Sequence, residues 1–175
     1  IISNSWAYCE DQTTLADVQS IDLILAAAAA AGVSVFNASG DSGSTCLNGS
    51  PNTIGVPAGS PHAIAVGGTS QITGPTAVYQ SETWWNGLAN TPPTGQGGFG
   101  VSRFFARPAY QNGFTSSPMR SIPDVVFNSD PAQGTIICQA SAGGCPAPFF
   151  VGGTSMAAPA WAAATAILNQ AQGRN

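Results

Sequence analysis

The chain has 175 residues and a formal net charge of −4, from 4 basic and 8 acidic side chains, and it contains no lysine. Charged residues are only 7% and hydrophobic residues 43%, which excludes disorder, because disorder needs low hydrophobicity and high charge. The four arginines lie scattered between Arg103 and Arg174 and form no basic patch for nucleic acid. The longest apolar run, Leu23 to Val33, is shorter than the ~20 residues of a membrane span. The length fits one domain with a sizeable core. Low charge together with 21 Gly and 13 Pro points to a loop-rich extracellular protein.

Ile1 to Trp6 reads as a short buried strand. Thr14 and Asp17 then read as a capping box, with Asp in place of the usual Glu. Leu15, Val18, Ile21, Ile24 and Leu25 recur at helical spacing. The alanine run continues that helix, and Gly32 suits the position just past its end. Val33 to Phe36 reads as the next strand. Strand, helix and strand in sequence predict a parallel βαβ unit. Residues 39 to 60 read as loop. Ala63 to Val66 reads as a strand stopped by Gly67-Gly68, and residues 71 to 121 read as irregular. Val125–Phe127, Thr135–Ile137 and Phe149–Val151 read as strands. An alanine-rich helix from about Ser155 to Gln170 is apolar almost all round and is expected to be buried; Pro159 is placed in its first turn. No repeat or internal boundary is visible. The class is α/β, with a mostly parallel sheet flanked by helices.

The four cysteines, Cys9, Cys46, Cys138 and Cys145, include no CxxC pair. An even count without metal spacing suggests two disulfides. A Cys138–Cys145 bridge would close a short loop, leaving Cys9 to pair with Cys46; four buried free thiols are the alternative. Two sequons occur. Asn37 lies in a strand-like stretch and is expected to stay unmodified, whereas Asn48 lies in a loop and is the better candidate. The chain opens without Met, carries no signal-peptide pattern and closes straight off a helix. Both ends are expected to be cut.

Ser155 sits where Gly152-Gly153-Thr154 enters the last helix. A hydroxyl there stands at the positive end of the helix dipole, where developing negative charge is favoured. A plain N-cap serine is the bland reading. Asp41, in Ser39-Gly40-Asp41-Ser42-Gly43, follows a strand at its carboxyl end, where α/β sheets place their chemistry. Its bland reading is a turn aspartate bonded to its own backbone.

Gly153-Thr154-Ser155-Met156-Ala157-Ala158-Pro159 resembles the nucleophile segment of the subtilisin-like clan of serine peptidases. Ser39-Gly40-Asp41-Ser42-Gly43 resembles the sedolisins, the serine-carboxyl peptidases, whereas subtilisins proper carry Asn at the Asp41 position. Ile2 to Trp6, Pro57-Ala58 through Gly67-Gly68-Thr69, Gly97 to Phe105, Arg107 to Gln111, and Pro123-Asp124-Val125 with Asp130-Pro131 and Gly134 resemble further sedolisin segments in the right order. The resemblance runs from residue 1 to about residue 173. It implies a subtilisin-like fold, incomplete at both ends, with residues 1–175 forming the C-terminal part of a single peptidase catalytic domain.

The resemblance also implies a mechanism. Ser155 would attack the peptide carbonyl and form an acyl-enzyme. Asp41 would complete the oxyanion hole and must carry a proton to do so, because an ionised carboxylate would repel the oxyanion. Activity is therefore expected in acid. Ser5, Trp6, Gly40, Gly153 and Thr154 would line the substrate site, with the peptide added as a strand against Ser5-Trp6; Ala7 stands where the family has Gly. The family's Glu and Asp, one helical turn apart, are not matched: Glu10, Asp11, Asp17 and Asp22 form no such pair. The chain alone is thus expected to be inactive. No cofactor or metal is expected in it, while calcium is expected in the complete protein on ligands downstream of residue 175. The expected partners are a peptide or unfolded-protein substrate and a propeptide, with neither nucleic acid nor membrane. The expected location is secreted or extracellular, or an acidic lysosome-like compartment. Two rival readings are a neutral subtilisin-like peptidase and a non-catalytic binding relative. His62, the single histidine, and Glu82 read as surface and loop residues rather than catalytic bases. Asp124 and Asp130 read as strand-end anchors, and Trp84, Trp85 and Trp161 as packing.

Overall fold

The computed structural model describes residues 1–46, 49–145 and 149–173; Asn48, the better sequon, lies outside them. The elements in chain order are β1 (Ile2–Asn4), β2 (Tyr8–Cys9), α1 (Leu15–Ala30), β3 (Val35–Ala38), β4 (Gly55–Val56), β5 (Ile64–Thr73), β6 (Tyr79–Trp84), β7 (Gly100–Ala106), β8 (Met119–Ile122), β9 (Val125–Asn128), β10 (Thr135–Ile137), β11 (Phe149–Val151) and α2 (Thr154–Ala171). A five-stranded sheet carries the fold. β1, β3, β5 and β9 pair in parallel, and β6 runs antiparallel along the later part of β5. Antiparallel pairs β2–β4, β7–β8 and β10–β11 surround it.

The expected βαβ unit is present as β1–α1–β3, with β3 starting two residues later than the sequence suggested. Thr14 caps α1 by accepting from the Asp17 N–H. The reciprocal half of the capping box is not made. The Asp17 carboxylate instead accepts from the Tyr8 hydroxyl at 2.5 Å and the Thr13 hydroxyl at 2.6 Å. The Thr13 and Tyr8 hydroxyls hold the Asp17 carboxyl below its ordinary range, while desolvation, and then the bond to Asp17 and its charge, push the Tyr8 phenol up to about 12. Gly32 takes φ +75° just past α1, as expected.

β3 is buried along its whole length because a helix covers each face. Phe36 and Ala38 pack with Val66 against Ala157, Ala158 and Ala162 of α2. Val35 packs with Ala63 against Leu25 of α1. Only one face of each helix is covered. Leu23 and Ile24 on α1 and Ile167 and Leu168 on α2 are exposed, so the expectation of an all-round buried last helix is corrected. β1 lies at the sheet edge with Ile1 and Ile2 exposed, and is not the buried strand expected.

Two further expectations fail for identifiable reasons. Gly67-Gly68 does not stop the third strand; β5 runs through it to Thr73. A Cβ on Gly67 would lie 2.5 Å from Pro123, and one on Gly68 would lie 2.8 Å from Ser129 and 2.9 Å from Trp85. These glycines let neighbours approach the strand closely. Residues 71 to 121 are not irregular throughout, since β6, β7 and β8 fall there. The residues of β6 are exposed in unbroken succession, so no alternation marked it.

Buried charge anchors the periphery. Arg120 is fully buried and forks onto Asp124, with nitrogen–oxygen distances of 2.6 and 2.5 Å. Asp124 also accepts from the Ala65 N–H, and Asp130 accepts from Ser70, Thr94 and the Ala132 N–H. Both aspartates are strand-end anchors, as expected. Trp85 is buried, and Trp161 donates to the Val126 carbonyl. Both expected disulfides, Cys9–Cys46 and Cys138–Cys145, are formed. No helix among the described residues is long and apolar enough to cross a membrane.

Glu10 is fully buried in the 3₁₀ turn after β2. It accepts from the Ser102 hydroxyl at 2.5 Å and the Arg103 N–H at 2.7 Å, joining β2 to β7. Burial raises its carboxyl above the ordinary 4.5, and these two hydrogen bonds oppose the rise without cancelling it. The folded state therefore holds the proton more tightly than the unfolded chain does. This contribution is complete below 4.5 and is lost as pH climbs through the raised folded value. Replacing Glu10 with Gln should make the fall in melting temperature shallower as pH rises from that range, as followed by thermal unfolding of the full-length gene product.

Candidate active site

Four segments distant in sequence meet at the carboxyl end of the parallel strands: the exit of β1, the exit of β3, the glycine loop before β7, and the start of α2. The β3 exit turns at Gly40, and Gln96 and Gly98 brace the turn. The Gly98 N–H donates to Gly40 O at 2.7 Å, the Gln96 N–H to Asp41 O at 3.0 Å, and the Ser39 hydroxyl to Gly98 O at 2.8 Å. A side chain on Gly98 would run into the Ser39 carbonyl. The glycine loop thus acts as a template for the aspartate turn.

Thr154 ties this turn to α2. Its backbone N–H and its hydroxyl both donate to Asp41 Oδ1, at 2.7 and 2.8 Å. The Thr154 hydroxyl in turn accepts from the Gly40 N–H at 3.1 Å. The N–H and the hydroxyl of that buried threonine are thereby both engaged with the aspartate turn, at the Gly40 N–H and the Asp41 carboxyl. Asp41 Oδ1 takes both donors, and Oδ2 stands beside Gly153. A Cβ on Gly153 would lie 2.8 Å from that oxygen, and its φ of +90° is one that other residues resist. Glycine at 153 is therefore set by the carboxylate.

Asp41 and Ser155 are both exposed and both line a cleft of about 270 Å³. Ser5, Gly40 and Thr154 also line it, together with Ala7, Tyr8 and the Cys9–Cys46 bridge. Trp6 and Gly153 are not on its wall, and Trp6 is 86% exposed. Both backbone groups of Trp6 are taken by one side chain: Asn4 Nδ2 donates to Trp6 O at 2.9 Å, and the Trp6 N–H donates to Asn4 Oδ1 at 3.3 Å. Sequence reasoning missed Asn4 and the glycine-loop brace, which no local pattern announces.

The other acids are held elsewhere. Asp11 accepts from Thr53, and Glu82 from Thr69 at 2.6 Å. Asp22 accepts from the Ser60 hydroxyl at 2.5 Å and bonds His62 Nδ1 at 2.9 Å. Ser, His and Asp do meet there, but both partners converge on one aspartate oxygen. The groove lined by His62 shares no residue with the Ser155 cleft. Among the described residues, the cluster with metal-ligand side chains is Cys9, Asp11 and Cys46. Its two sulfurs are joined to each other, and a calcium ion needs several oxygens, so this cluster does not fit that ion.

A family model described as the subtilase family matches residues 1–174. Kumamolisin from Bacillus sp. (strain MN-32) is 35% identical over 186 residues, covering 99% of this chain and 32% of that protein. Sedolisin from Pseudomonas sp. (strain 101) is 36% identical over 180 residues, covering 98% and 30% respectively. A solved structure of Pseudomonas sedolisin, described as a serine-carboxyl proteinase complexed with two molecules of pseudo-iodotyrostatin, matches with a TM-score of 0.84 at 31% identity, over 98% of this chain and 48% of that one. The chain belongs to the subtilase family and, within it, to the sedolisins. It has the subtilisin-like fold and spans about a third of the length of these two curated relatives.

Thr154→Val keeps the size but removes the hydroxyl, stripping Asp41 Oδ1 of one donor and the Gly40 N–H of its acceptor. Leaving such groups unpaired should lower unfolding stability by about 1–3 kcal/mol, measured by urea unfolding of the full-length gene product.

Proposed function

We propose that this chain contributes the nucleophile and the oxyanion-hole acid of a serine-carboxyl peptidase acting in acid. Ser155 attacks the peptide carbonyl and Asp41 donates a hydrogen bond to the oxyanion. The observation that carries this reading is the double donation of Thr154 to Asp41 Oδ1. With Oδ1 already accepting two hydrogens, Oδ2 is the oxygen left to hold a proton and give it to a developing negative charge. An ionised Asp41 would oppose that charge, so the reading requires acid conditions. The α2 N-terminus adds its dipole at the same place. Thr154 then acts through Asp41 rather than by touching the peptide.

The general base is supplied from outside these residues, because each remaining acid is bound to other partners. Residues 1–175 are the C-terminal part of the catalytic domain in this reading, acting on peptide or unfolded-protein substrate after removal of a propeptide, in a secreted or acidic lysosome-like setting. A substrate strand laid along Trp6 would have to displace the Asn4 side chain.

Peptide hydrolysis by the complete gene product, measured from acid to neutral pH, tests the assignment. Ser155→Ala should lower kcat by about a thousandfold or more. Asp41→Asn should be slower in acid, yet decline less steeply toward neutrality, because an amide donates at every pH. Full activity in Ser155→Ala, or an unchanged pH profile in Asp41→Asn, would remove the respective assignment. The chain alone should hydrolyse nothing.

A further inference from the structure

We propose that Ser5 is a positioning residue for Ser155, acting on its main chain rather than on the substrate; this rests on the peptidase reading above. In an α-helix the carbonyl of residue i accepts from the N–H of residue i+4. For Ser155 that residue is Pro159, which lies inside α2 rather than in its first turn and has no N–H to give. The Ser155 carbonyl is therefore left without its helical donor. The Ser5 hydroxyl takes the place of that donor, at 3.2 Å.

The donor comes from a fixed frame. Ser5 leaves β1, whose residues Ile2 to Asn4 are paired in register with Val35 to Asn37 of β3. Its neighbour Asn4 clamps Trp6 on one side and bonds Asn37 at 2.9 Å on the other. Ser155 is thereby held from two directions. Asp41 fixes the residue before it, through Thr154, and Ser5 fixes its own carbonyl. The contact is open to water in the free protein. A peptide lying in the cleft would shield it, and a hydrogen bond strengthens as the local dielectric falls. Pro159 and Ser5 thus form one device: the proline releases a carbonyl at the first turn of the helix, and the serine ties that carbonyl to the sheet.

The test is a double-mutant cycle on peptide hydrolysis by the complete gene product. Ser5→Ala should lower kcat by about three- to tenfold with KM unchanged, and Ser5→Thr, which keeps the hydroxyl, should stay near wild type. Pro159→Ala restores the helical N–H, so adding Ser5→Ala in that background should cost no further kcat. A wild-type kcat in Ser5→Ala, a loss confined to KM, or an equal loss in the Pro159→Ala background would overturn the proposal. Ser155→Ala in the same assay separates the two levels. Activity surviving there sinks the reading of the site itself, whereas activity lost there with Ser5→Ala unaffected sinks only the role of Ser5.

Discussion

Two hydrogens from Thr154 converge on one oxygen of Asp41, across 113 residues of chain. The arrangement of the site depends on this contact. It joins the last residue group of a parallel βαβ unit to the first turn of the helix that packs on the same sheet. Because β3 is buried between α1 and α2, neither end of the contact can move without disturbing the core. The glycines around it follow from that constraint. Gly153 leaves room for the carboxylate, and Gly98 lets the bracing loop reach the turn. A tight turn that sequence alone reads as loop is held by backbone hydrogen bonds on one side and a buried threonine on the other.

A second layer of support comes from charge taken out of water. Isolated buried ions are costly, and each one here is closely paired or hydrogen-bonded. Arg120 and Asp124 fasten the end of β8 to β5, because Asp124 also accepts from Ala65. Glu10 fastens the turn after β2, which helps wall the cleft, to β7. The titration of Glu10 runs opposite to that of Asp11 and Asp17, whose carboxyls are held low by hydroxyl partners. Stability in acid is thus distributed unevenly over the chain, and the turn after β2 is one region that gains from it.

Much of this was legible in the sequence where local chemistry and global position agree. The βαβ unit and the glycine past α1 follow from period and punctuation, and both disulfides from an even cysteine count without metal spacing; the meeting of the Asp41 and Ser155 segments is what the family resemblance implies. Other features resisted for physical reasons. Gly67-Gly68 looks like a strand stop but is a space for Trp85 and Pro123. β6 is exposed throughout and shows no alternation. Glu10 sits among polar neighbours that give no hint of its burial. Asn4 looks like any strand-end residue, and its clamp on Trp6 depends on the side chain reaching the backbone two residues further on. The role of Ser5 requires knowing that Pro159 lies beyond the first turn, a matter of where the helix begins.

The Cys9–Cys46 bridge has a consequence beyond walling the cleft. It closes a covalent ring of residues 9 to 46 that encloses α1, β3 and the Asp41 turn. Closing a loop of that length is worth about 4 kcal/mol by chain entropy. A single backbone cut within the ring releases no fragment, since both new ends stay tied through the sulfurs. In surroundings rich in peptide-cleaving activity, the segment that carries Asp41 would outlast a nick that would detach an unbridged strand.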